Sequence, residues 1–169
     1  QILFVNFIAD TFPALSLAFE DHIDYLLEKK RRKILNLFDK EMALLTLTIG
    51  IPTSIFILAL YYYLSGLDYP LDLVRTFIFA AFSSYSLFLI FSVRSLRKPI
   101  FSYSPFSNPA LLIGVLLGFG SLACAIYIPA MQKLLGTVAL PAEWVAGVVA
   151  VGLINIIAIE IGKRISNRL

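Results

Sequence analysis

The run Leu3-Phe4-Val5-Asn6-Phe7-Ile8-Ala9-Asp10-Thr11-Phe12-Pro13-Ala14-Leu15 is apolar almost throughout, yet Asn6, Asp10 and Pro13 interrupt it. An ionisable side chain in such surroundings costs about 2.5–3.5 kcal/mol at the centre of a membrane helix. Its presence there points to function. Outward from this run the chain stays apolar: 59% of its 169 residues are hydrophobic, 14% are aromatic and 15% are charged, and the mean hydropathy is +0.86. With 14 Lys+Arg and 11 Asp+Glu there is too little polar surface to wrap a water-soluble core. Lipid must be the solvent for most of the chain.

Apolar stretches at about 1–19, 42–65, 72–93, 107–128 and 142–162 each approach the roughly 20 residues that carry a helix across the hydrocarbon core. Period-2 alternation is absent, so the expected fold is an all-α membrane protein, a bundle of five transmembrane helices. The connections, 20–41, 66–71, 94–106 and 129–141, are short, and 1–169 reads as one domain. Lys29, Lys30, Arg31, Arg32, Lys33 and Lys40 fall in the first connection, Arg94, Arg97 and Lys98 in the third, and Lys163, Arg164 and Arg168 at the end. The positive-inside rule then puts these on the cytoplasmic side and the N-terminus outside. Gln1 stands inside an apolar run with no initiator Met, which predicts a segment cut from a longer bundle. The basic residues lie between spans and form no extended basic surface, which argues against nucleic acid as a partner. Cys124 is the one cysteine and offers no metal-spaced cluster.

Asn6 and Asp10 lie four apart and so share a helix face. Pro13 cannot donate to the carbonyl four residues back, which frees the Ala9 oxygen beside them. Carboxylate, amide oxygen and free carbonyl form a hard-ligand set suited to an alkali or alkaline-earth cation. The plainer reading is a protonated Asp10 bonded to a neighbouring helix, with Pro13 as an ordinary kink.

The stretch from Asn6 to Glu20 resembles the N-x-x-x-D-x-x-P-A-x-x-L-A-x-E helix of P-type cation-transporting ATPases, the sixth membrane helix of that family. Ile126-Tyr127-Ile128-Pro129, Leu135-Gly136-Thr137, Leu140 and Glu143-Trp144 resemble the stretch joining its last two helices. Arg75-Thr76-Phe77 and Val93-Arg94-Ser95 resemble the two ends of its eighth. The resemblance implies helices six to ten of a pump, with Asn6 and Asp10 as ligands of the transported cation. The Asn favours calcium pumps over sodium/potassium pumps. It also implies that the partners are the lipid bilayer and the upstream helices and cytoplasmic domains of the same pump, where ATP and magnesium act. The chain itself has no D-K-T-G-T, T-G-D-G or P-loop motif, so hydrolysis is not expected of it. Three departures stand out. The family's two-calcium pumps carry Thr where this chain has Ala9, a carboxylate falls near Ser86, and a P-P-R element is missing from the first loop. One cation site rather than two is the expectation.

Other residues have plainer readings. Thr76, Ser83 and Ser86 could line an ion path but more often bond neighbouring helices, as Asn155 is expected to do, and Gly114 and Gly118 mark close helix packing. Glu160 is expected to pair with Lys163 and Arg164 at the surface, and His22 to lie at the membrane interface. The Lys29–Lys33 run could grip anionic lipid or a soluble domain, or serve topology alone. A non-transporting structural or regulatory membrane module, or part of another ion transporter, is the competing function.

Overall fold

Prolines and their neighbours decide where the helices begin. The computed structural model describes residues 1–9, 11–17, 40–93 and 108–166. We label its α-helices α1 (Ile2–Phe4), α2 (Thr11–Leu17), α3 (Lys40–Ser65), α4 (Leu71–Val93), α5 (Pro109–Tyr127), α6 (Pro129–Leu135) and α7 (Ala142–Ser166), with a π turn over Val5–Ala9 between the first two. Asn108 caps α5 by accepting from the Leu111 N–H at 3.0 Å, with Pro109 next in the chain, an N-terminal placement where proline loses no helical hydrogen bond. The Pro70 carbonyl accepts from Leu73 and Val74, and the Pro141 carbonyl from Trp144 and Val145, which opens α4 and α7 in the same way. No strand occurs among the described residues.

Among the described residues, three helices are long and apolar enough to cross a membrane, over Leu71–Ser92, Pro109–Tyr127 and Ala142–Gly162, and they overlap the third, fourth and fifth expected spans. The second expected span is covered by α3, 26 residues long, with a shorter apolar stretch at Gly50–Ser65. The first expected span is carried by α1, the π turn and α2. The chain is therefore an all-α membrane bundle. Asp10, Glu20, His22, the Lys29–Lys33 run, Arg94, Arg97, Lys98 and Arg168 lie outside the described residues.

α4 is the centre of the bundle, packed along α7 and touching α2, α3, α5 and the π turn. Helices in lipid associate through close packing and polar contacts rather than through the hydrophobic effect, and α4 carries small side chains where its neighbours press hardest. Ala80, Ala81, Ser83 and Ser84 are all buried. In return α7 presents glycines: a Cβ on Gly147 would stand 3.1 Å from the Phe77 ring, and one on Gly152 would meet the Phe88 ring at 2.4 Å. Thr53, just after Pro52 in α3, hydrogen-bonds Tyr85 of α4.

The contacts also fix which helix ends lie together. Trp144 at the start of α7 packs edge-on against Tyr69 and Phe77, with ring centroids 5.0 and 5.2 Å away, and Val138 N–H donates to Thr76 Oγ1 at 3.0 Å. At the opposite end Ser92 of α4 donates to Glu160 of α7 at 3.2 Å. Gln1 donates to the Leu135 carbonyl at 2.9 Å, which puts the N-terminus at the Trp144 end, whereas α7 runs toward the other.

Two expectations change. The connection 129–141 contains a helix, α6, because Pro129 can start one and Gly136 can stop it: its φ of 64° is the left-handed conformation that glycine adopts without strain. Glu160, whose expected partners Lys163 and Arg164 have side chains outside the described ones, is half-buried and accepts from Ser92 of α4. Asn155 donates within its own helix, to the Val151 carbonyl at 2.8 Å.

Candidate functional site

A regular helix running through Asn6 to Pro13 would lose a hydrogen bond in the turn before Pro13, which offers no N–H. The chain resolves this by loosening first and restarting afterwards. Val5–Ala9 winds as a π turn, and α2 begins at Thr11, so Pro13 stands in the first turn of a new helix, where its lost donor costs least. Thr11 Oγ1 donates to the Asn6 carbonyl at 3.4 Å, five residues back, so a side chain bridges the widened turn. Isolated π turns within helices are frequent at functional sites.

Among the described residues, α4 and α5 pack against this segment. Val5 is 2% exposed, Phe4 packs edge-on against Phe79 of α4 with centroids 5.8 Å apart, and Ser16 is buried. On α5 a Cβ at Gly114 would stand 2.8 Å from the Phe12 carbonyl and 3.1 Å from Ser16 Oγ. This is the close approach that the Gly114/Gly118 spacing predicts, and Gly118 is buried too. Asn6 is exposed, as are Ile2, Leu3 and Phe7. Asp10, expected to share the site with Asn6, lies outside the described residues. Among those described, no group of three or more His, Cys, Asp or Glu could hold a metal ion.

The hydroxyls considered for an ion path behave differently from one another. Thr76 donates to the Asp72 carbonyl at 2.7 Å and accepts from Val138, and Ser83 donates to the Phe79 carbonyl at 2.8 Å. Both are spent on structure. Ser86 is half-buried on α4. Phe4 of the first segment meets Phe79 of α4, and Ser86 lies seven residues further along α4. Sequence reasoning had no role for Thr11; a hydroxyl one residue after the Asp and two before the Pro was the available signal.

The described residues of this segment thus combine a π turn over Val5–Ala9 with an exposed Asn6. Comparison with known proteins agrees with the motifs. The chain is 32% identical over 179 aligned residues to "Calcium-transporting ATPase 1" of Bacillus cereus (strain ATCC 10987 / NRS 248), an alignment that covers 96% of this chain and 20% of the relative. The chain thus spans about a fifth of the length of that relative. Residues 1–165 match the family described as "Cation transporting ATPase, C-terminus", and with nearly every residue inside that match, the chain belongs to this family of membrane-embedded C-terminal regions of cation-transporting ATPases.

Proposed function

We propose that this chain is the cation-binding and translocation part of an ATP-driven calcium pump, with Asn6 and Asp10 as ligands and the Ala9 carbonyl, released by Pro13, as a third. The π turn over Val5–Ala9 is the observation that carries the reading. A regular helix spends its carbonyls on itself; a widened turn ahead of a proline leaves oxygens to offer, and calcium needs roughly six to eight of them. The exposed face of Asn6 supports the view that upstream helices complete the shell. The basic first and third connections and the C-terminus would face the cytoplasm, the N-terminus the opposite side. ATP and magnesium would act on cytoplasmic domains upstream, and phosphorylation there would switch the access of the ion to Asn6 and Asp10.

The test is calcium-dependent phosphorylation of the intact protein by ATP. Asp10→Asn should abolish it, because the site loses the carboxylate's formal negative charge that offsets the ion in a low-dielectric environment. Ser86→Ala should leave it nearly intact. Equal loss in both variants, or full activity in Asp10→Asn, would defeat the assignment.

A further inference from the structure

At the Trp144 end of the bundle, α6 leaves the line of α5 through a single extended residue, Ile128, with φ −86° and ψ 122°. It has seven residues, and its two faces differ. Gln132 and Leu135 turn toward the protein: Gln132 Nε2 reaches the Ile126 carbonyl, and Leu135 packs on the core. Leu134 is 75% exposed and Met131 36%, with Ala130 also exposed, and these three share one face by helical spacing. Ile128, 44% exposed, precedes them, and Lys133 is exposed at their edge.

We propose that α6 lies in the membrane interface, with Met131 and Leu134 in the acyl-chain boundary of the leaflet at this end and Lys133 among the lipid phosphates. Position supports lipid as the occupant. The helix hangs directly between two membrane-crossing helices, α5 ending at Tyr127 and α7 starting at Ala142. Those spans also carry exposed apolar side chains, Leu116 and Leu117 on α5 and Leu153 and Ile157 on α7. The Tyr69–Trp144 pair at the same end has the amphipathic aromatic character that settles at headgroup level. An amphipathic segment with a basic residue beside its apolar face gains both buried area and attraction to phosphate there. Because the Leu135 carbonyl holds Gln1, the seating of α6 also sets the height of the first helical segment in the bilayer.

The experiment uses the intact protein in phosphatidylcholine vesicles, with Cys124→Ser and any other cysteines replaced, and an environment-sensitive fluorophore on Leu134→Cys, Met131→Cys or Lys133→Cys in turn. A fourth sample carries the label on Leu116→Cys, exposed on α5 eleven residues before Tyr127, as a reference deeper in the acyl region. Labels at 134 and 131 should emit to the blue of the label at 133. They should be quenched more by a nitroxide high on the acyl chain than by one near its methyl end, and hardly by aqueous iodide. Label 116 should show the reverse depth preference. Iodide quenching at 134 and 131 equal to that at 133 would overturn the proposal, and so would shielding of both from iodide and lipid quenchers alike, which would mean a protein cover.

Discussion

Gly114 has the Phe12 carbonyl oxygen 2.8 Å from where a Cβ would stand, and backbone on the opposing helix cannot swing away as a side chain can. Gly114→Ala should therefore push the first segment off α5 and cost about 1–3 kcal/mol of stability, read as a lowered Tm of the detergent-solubilised protein. Gly120→Ala is the matched control, since nothing lies within 4 Å of its Cβ position; it should be neutral or gain up to about 1 kcal/mol from helix propensity. Equal losses in the two variants would count against the contact. The close approach at Gly114 was legible in the sequence, because small residues four apart in an apolar run have few other uses. The partner was not, since no local pattern pairs Gly114 with a carbonyl about a hundred residues earlier. Ser92 and Glu160 tell the same story: side chains near the ends of two spans found each other only once the helices were packed.

At the scale of elements, the C-terminal end of α5 poses a problem that its own helix cannot solve, because the last carbonyls have no N–H ahead of them. The chain solves it by folding α6 back. Ile128 N–H returns to the Cys124 carbonyl, Thr137 Oγ1 to that of Ala125 at 2.6 Å, and Gln132 Nε2 to that of Ile126 at 2.6 Å. Gly136 and Thr137 N–H both go to the Gln132 carbonyl, ending α6, while Tyr127 Oη donates to the Leu140 carbonyl at 3.0 Å. Thr137 is 5% exposed, so water is a poor substitute, and Thr137→Val should cost about 1–3 kcal/mol by stranding the Ala125 carbonyl. Thr137→Ser, which keeps the hydroxyl, should recover most of that loss in the same melting assay. The five apolar runs were readable because membrane thickness sets a length that sequence alone can be measured against. The helix α6 was not, since seven residues between a proline and a glycine look like a turn unless the distant carbonyls that Gln132 and Thr137 satisfy are known.

For the whole molecule, the proposed pump has a stoichiometry that follows from two missing oxygens. The Asn, Asp and Pro of the site were legible at once, because polar groups in an apolar run are expensive and stand out. The π turn was not, since Pro13 predicts a broken helix without saying whether it kinks, frees a carbonyl or widens the preceding turn. That geometry narrows the oxygens available around Asn6, and the chain offers little to build a second shell. Ala9 has no side-chain donor, and Ser86 brings a hydroxyl where a carboxylate would supply charge. A divalent ion in a low-dielectric bundle needs roughly six to eight oxygens and enough negative charge to offset its desolvation. A site short of both should stay empty at concentrations that fill the one at Asn6 and Asp10. Equilibrium binding of radioactive calcium to the intact protein should therefore saturate at one ion per pump, with no cooperativity in the isotherm. Ser86→Glu restores one carboxylate but not the donor missing at Ala9, so it alone should not raise the count. Saturation at two ions in the unaltered protein would mean that other oxygens have replaced those two, and that the site is larger than Asn6 and Asp10 imply.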